Sequence, residues 1–169
     1  MLSEQNIRLI SLKNSERKKM KMNKIFIYYS LTNNGDEVAK YLKNVEVRKI
    51  KVKKELPKSM FFKMMVGGFK ALVGYKEKLV DFNNNIDKYD EVIIGSPIWF
   101  DRLCSPIRTL LNQINLKDKK LSFILYSAGG EANKAVEFIK NNYKDANITI
   151  LKEPKKNKKE LEKIKINTK

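Results

Sequence analysis

The chain contains no histidine. That removes Ser-His and Cys-His nucleophile pairs, imidazole general bases and His-ligated metals from consideration. It contains a single cysteine, Cys104, which excludes an intramolecular disulfide and every Cys-x-x-Cys motif. One thiolate cannot hold an iron–sulfur cluster. No apolar run reaches the length of about eighteen residues that a membrane-spanning helix needs. The N-terminus, MLSEQNIRLISLKNSERKKMKMNK, has no apolar segment ending at a small-residue cleavage site, so no secretory signal is read there. The expected location is the cytoplasm. With these groups absent, demanding chemistry would fall to a bound cofactor.

Positive charge is what the chain has in excess. Its 36 Lys+Arg against 19 Asp+Glu give a net charge of +17 over 169 residues. Such a balance attracts acidic proteins, anionic lipid or nucleic acid. The basic residues are densest at 17–24 (RKKMKMNK) and at 152–169, where eight lysines face three glutamates, and most of them read as solvated surface. No basic motif interleaved with aromatics is present, as a single-strand nucleic-acid reader would need. Nucleic acid is therefore not the expected partner, and acidic proteins are. The apolar fraction of 42% is enough for one core, and the length favours one domain.

Residues 1–22 are weakly periodic and read as a tail; the domain is placed at 23–169. Within it, strands alternate with helices. KIFIYYS (24–30) is a continuous apolar run, as a strand covered on both faces requires. DEVAKYLKN (36–44) puts Val38, Tyr41 and Leu42 on one helical face. VEVRKIKV (45–52) reads as an edge strand whose alternation slips at Arg48–Lys49. DEVIIGS (90–96) is a buried strand. SPIRTLLNQI (105–114) starts a helix with Ser105 as N-cap and Pro106 at the first helical position. KLSFILYS (120–127) and ANITIL (146–151) are further strands. EANKAVEFIKNNY (131–143) is a helix burying Ala132, Ala135, Val136 and Ile139. NKKELEKIKI (157–166) is a short basic helix turned inward through Leu161 and Ile164. Such alternation implies βαβ units and a parallel sheet with helices on both faces. Between the second and third strands, residues 55–80 carry a Met/Phe stripe broken at Gly67–Gly68. It reads as the crossover helix. With Lys63, Lys70, Lys76 and Lys78 around its apolar face, it also fits peripheral contact with a membrane surface.

Open parallel sheets bind ligands past the carboxyl ends of their strands. Three such ends stand out: SLTNNGD (30–36), SPIWFDRLCSP (96–106) and SAGGEAN (127–133). The first can aim several N–H and O–H donors at one anion beside a helix N-terminus, or simply cap the helix. It lacks the Walker lysine and the Gly-x-Gly-x-x-Gly spacing, so it suits a single monophosphate. In the second, Trp99 and Phe100 can stack on a flat ring or pack as ordinary core. In the third, Gly129 and Gly130 allow close backbone approach or merely a turn. Convergence at one sheet edge favours the ligand readings. Cys104 reads as a packing residue.

These segments resemble the flavodoxin family over about residues 23–166. IYYSLTNNGDEVA is similar to its phosphate loop, Ser-x-Thr-Gly-Asn-Thr. IIGSPIWFDRLCSPIRTLL resembles its Gly-[ST]-Pro-[IV]-[WY] motif before a Pro-led helix. SMFFKMMVGGFKAL resembles the segment that short relatives carry between strands two and three, and YSAGG resembles the glycine loop after strand four. The resemblance implies an α/β, three-layer, doubly wound sheet of five parallel strands in the order 2-1-3-4-5, binding FMN non-covalently. By matching position, Ser30, Leu31, Thr32, Asn33, Asn34 and Gly35 would hold the phosphate. Pro97, Ile98, Trp99 and Phe100 would border the ring, and Ser127, Ala128, Gly129 and Gly130 would close its other side. The implied activity is electron transfer with acidic redox partners. An NAD(P)H- or quinone-linked FMN oxidoreductase and a flavin-free module for acidic partners are the alternatives. The chain departs from the pattern at Asn33, where the family has glycine, and at Gly35, where it has threonine. Asparagine tolerates the left-handed backbone, whereas the lost threonine hydroxyl would remove a phosphate hydrogen bond.

Overall fold

The computed structural model describes residues 23–53, Val66 and 76–164. The proposed tail 1–22 and most of the crossover segment 55–80 lie outside the described residues. Five parallel strands form the main sheet: β1 (Lys24–Tyr28), β2 (Glu46–Lys49), β5 (Glu91–Trp99), β7 (Lys120–Ser127) and β8 (Asn147–Lys152), in the order β2-β1-β5-β7-β8. This is the 2-1-3-4-5 order that the resemblance to the flavodoxin family implies. Lys24 lies opposite Glu91, and Glu91 opposite Lys120, so the central strands start level and end at a common edge.

Alternate residues of each central strand enter two separate apolar layers. Ile25, Ile27, Val92, Ile94, Phe123 and Leu125 face α2 (Ser105–Leu111) and α3 (Asn133–Asn142), meeting Ile107, Leu110, Ala135 and Ile139. Phe26, Tyr28, Ile93, Ile124 and Tyr126 face the other way. They pack on Val38 and Leu42 beside α1 (Asn34–Tyr41) and on Leu161 and Ile164 of the C-terminal 3-10 turn (Lys158–Lys163). Burial on both faces explains why these strands read as unbroken apolar runs.

The differences from the sequence reading have local causes. The first helix starts at Asn34 rather than 36. Tyr41, assigned to its inner face, is exposed, while Val38 and Leu42 are buried. The second strand does not run through 52. Ile50 donates its N–H to the Tyr28 carbonyl at 2.8 Å and is buried. Beyond it, β3 (Lys51–Val52) leaves the sheet to pair antiparallel with β4 (Leu79–Val80). The slip at Arg48–Lys49 is edge cover: Arg48 bonds the carbonyls of Asn83 and Asn85 and lies over the Tyr89 ring, and Lys49 pairs with Asp36. Ser105 is not the N-cap of α2. Cys104 is, and Ser105 occupies the first helical position, its hydroxyl donating to Glu77 at 3.3 Å. The C-terminal helix is a 3-10 turn, with Leu161 and Ile164 buried as expected. Among the described residues no helix is long and apolar enough to cross a membrane.

Candidate functional site

The three strand ends singled out from the sequence share the carboxyl edge of the sheet, and hydrogen bonds tie them together. Tyr29 donates its N–H to the Gly95 carbonyl at 3.2 Å, and the buried Tyr126 hydroxyl donates to the Tyr29 carbonyl at 2.9 Å. These bonds fix the 30–36 turn against the ends of β5 and β7.

Within that turn Asn33 has φ 63°, the left-handed conformation that asparagine tolerates in place of glycine. The Gly35 N–H donates to Ser30 Oγ at 3.1 Å, and Asn34 Nδ2 donates to Thr32 Oγ1 at 3.0 Å. Both hydroxyls therefore act as acceptors inside the turn and keep their protons for an outside acceptor. The N–H groups of Leu31, Thr32, Asn33 and Asn34 meet no acceptor among the described residues. Gly35 has a packing reason: a Cβ there would lie 2.4 Å from Tyr28 Cδ2 and 2.6 Å from the Tyr126 hydroxyl. Two tyrosines fill the space where a larger residue would sit. The acids of the first helical turn are neutralised. Asp36 accepts from Tyr28 at 3.0 Å and from Lys49 at 2.7 Å. Glu37 is held by Lys158 and Lys40, whose hydrogen bonds lower its pKa. Burial, then the bond to Asp36, pushes the Tyr28 phenol upward, and burial does the same to Tyr126.

The segment 96–106 is not a loop, as the sequence suggested, but a β-hairpin. β5 continues through Pro97, Ile98 and Trp99 and turns back into β6 (Arg102–Leu103), with Ile98 opposite Leu103 and Trp99 opposite Arg102. The two turn residues, Phe100 and Asp101, have φ 48° and 63°, the double left-handed geometry of a tight hairpin turn. Phe100 is held out at the tip, 58% exposed. Trp99 is half-buried and meets Tyr29 edge to face at 6.0 Å. Asp101 carries a role the sequence did not reveal. Its Oδ2 accepts the Lys134 N–H at 3.1 Å and its carbonyl accepts the Ala135 N–H at 2.9 Å. It thus caps α3, whose own capping residue, Ala132, has no polar side chain. A cap supplied from over thirty residues upstream leaves no local signal. Cys104, behind the hairpin, is fully buried, and its thiol is pushed up to about 12 by burial. This agrees with a packing role.

At the end of β7, Ser127 is buried and its carbonyl accepts the Glu153 N–H at 3.2 Å, while Ala128 and Gly129 beyond it are exposed. Gly130 has φ 84°, a glycine conformation. Gly129 has no positive φ, and a Cβ added to it would meet no atom within 4 Å; the fold itself does not require glycine there. The segment following β8 also reaches this edge, unannounced by the sequence. The Lys155 N–H donates to Asn34 Oδ1 at 3.0 Å, and Lys158 pairs with Glu37. Lys155 and Lys158 thereby sit beside the 30–36 turn and the start of α1.

The fold has counterparts of known structure. A candidate flavoprotein from Bacteroides eggerthii is 20% identical, covering 87% of this chain and all of its own, with a TM-score of 0.67. A flavoprotein from Lactobacillus acidophilus, solved in complex with FMN, is 21% identical over 82% of this chain and 97% of its own, with a TM-score of 0.58. A second candidate flavoprotein, from Bacteroides uniformis, is 19% identical over 76% of this chain and 87% of its own, with a TM-score of 0.62. The shared architecture is the flavodoxin-like open sheet. No protein-family model and no curated protein matches the chain.

Proposed function

We propose that the chain binds FMN non-covalently at the carboxyl edge of its sheet and acts in electron transfer. The observation that carries this reading is the 30–36 turn, whose two hydroxyls are made donors by internal bonds and whose successive N–H groups are left for an outside acceptor. Such a cradle fits a monophosphate at the start of α1. The residues around it fit the rest of the cofactor. Pro97, Ile98, Trp99 and Phe100 would border the ring, and Ser127, Ala128, Gly129 and Gly130 would approach its other side, with Gly129 leaving open the volume that a side chain would occupy. Ser30, Leu31, Thr32, Asn33, Asn34 and Gly35 would hold the phosphate. The FMN complex of the Lactobacillus relative supports the choice of ligand.

When bound, FMN supplies the one- or two-electron chemistry. The chain's own part is to hold the phosphate, to exclude water from the ring face at Trp99 and to set the charge around it. The net charge of +17 supports an acidic protein as the redox partner. The lone buried thiol suits the reducing cytoplasm.

The test is a fluorescence titration of the purified chain with FMN and, separately, with riboflavin. FMN should be quenched and bound at least about tenfold more tightly than riboflavin, a phosphate contribution of about 1.4 kcal/mol or more. FMN fluorescence left unchanged by excess protein would sink the assignment.

A further inference from the structure

The hairpin at the ring end of the site holds a cation without a counter-charge among the described residues. Arg102 stands directly opposite Trp99 in the antiparallel β5–β6 pair. Directly opposed residues present their side chains on the same face, so Arg102 and Trp99 share one side of the hairpin. Its Nε–H is buried with no acceptor among the described residues. None of the ion pairs among the described residues includes it. The adjacent carboxylate, Asp101, is committed to the N-terminus of α3. A buried guanidinium N–H left unsatisfied is costly, and the planar guanidinium presents further donors suited to carbonyl or anionic oxygens. Among the described residues the hairpin therefore carries a charge with no structural partner, on the same side as the aromatic residue assigned to the flavin.

We propose that Arg102 donates to a carbonyl oxygen of the bound flavin ring and selectively stabilises the reduced cofactor. The proposal rests on the FMN reading above. Uptake of two electrons and one proton leaves the ring with one more negative charge than the oxidised form. A fixed cation beside that charge favours the reduced state over the oxidised one, and favours it more strongly in a partly buried setting than in water. Arg102 is thus a residue that sets the potential and not merely the affinity.

The experiment compares native protein, Arg102→Gln and Arg102→Lys, each loaded with FMN. Affinity is measured by fluorescence quenching. The potential is measured by titration with dithionite, the source of electrons, against a reference dye. Arg102→Gln should lose about tenfold or more of the preference for reduced over oxidised FMN, a fall of about 30 mV for a two-electron couple. Arg102→Lys should keep most of the native potential, because it keeps the charge. Native FMN binding with an unchanged potential in Arg102→Gln overturns the proposal alone. Equal shifts in the Gln and Lys variants also overturn it, because a general loosening of the hairpin would then be the cause. No FMN uptake by the native chain overturns both this proposal and the reading beneath it.

Discussion

The two ends of the sheet treat polar groups in opposite ways. At the amino edge Glu91 is 1% exposed and held by ion pairs, although its Oε2 accepts no hydrogen bond among the described residues. Ser122 Oγ donates to Oε1 at 3.3 Å, and the ammonium groups of Lys24 and Lys120 each lie 3.5 Å from Oε2. An open depression of about 380 Å³ lies there, lined by Glu91, Lys120, Ser122, Thr149 and Lys163 among others. Its lining charges answer one another. At the carboxyl edge donors are left over: the hydroxyl protons of Ser30 and Thr32, the N–H groups after them and Arg102 Nε, beside one buried acceptor, Asp36 Oδ2, that has no hydrogen-bond partner among the described residues. At the amino edge the buried carboxylate is answered by opposite charge, whereas the donors left over at the carboxyl edge mark the place where a ligand belongs.

The largest effect that tests this contrast belongs to the amino edge. Glu91→Gln removes the carboxylate that two lysines share. It should lower stability by about 2–3 kcal/mol, below the roughly 3–5 kcal/mol of a fully enclosed pair because Lys120 is half in solvent. Urea unfolding measures it, and FMN affinity in the folded variant should stay native. A variant of native stability with weakened FMN binding would break the division between the two ends. Ser30→Ala is the counterpart at the other edge. It removes both the acceptor for the Gly35 N–H and an outward hydroxyl. FMN binding should weaken by about 1–2 kcal/mol, roughly 5- to 30-fold, with riboflavin binding unchanged. Equal losses for the two ligands would take Ser30 out of the phosphate cradle.

How far the sequence revealed each end follows from the range of the interactions involved. The central strands were legible because each is buried on both faces and so spells an unbroken apolar run, whereas their order followed from the resemblance to the flavodoxin family. The 30–36 turn was legible because Asn33, Asn34 and Gly35 answer local backbone and packing demands. The tyrosines that exclude a side chain at Gly35 come from β1 and from β7, nearly a hundred residues away, so the turn's glycine could be read but not its cause. The hairpin was missed because Phe100 and Asp101 sit at positive φ without the Asn-Gly or Asp-Gly that usually announces such a turn. Asp101 is held there by the first turn of α3, a long-range bond. The tie between Lys155 and Asn34 spans 121 positions and likewise leaves no local trace.

That long-range cap gives a smaller, mixed effect that sharpens the comparison. Asp101→Ala removes the bond to Lys134 and should cost about 1 kcal/mol of stability, read as a lowered unfolding midpoint. Because the same residue holds the hairpin turn, FMN affinity should fall with it, by a few-fold. Asp101→Asn, which keeps an acceptor oxygen, should recover most of both. A stability loss with native FMN affinity would show that the hairpin holds its shape without the helix and that the cap serves the fold alone.

The smallest change in the folded protein should come from Gly129→Ala, and its value lies in that smallness. An added Cβ at 129 meets nothing within 4 Å, and the backbone there is not in the left-handed region. Removing glycine's freedom in the unfolded chain should leave stability unchanged or raise it by about 0.4–1 kcal/mol. At the neighbouring Gly130, φ 84° makes the same substitution strained and destabilising. A methyl group that the fold accepts but a bound ring does not should weaken FMN binding several-fold without lowering the unfolding midpoint. If Gly129→Ala binds FMN as the native chain does, the ring does not approach this backbone, and the site is confined to the 30–36 turn and the Trp99 hairpin.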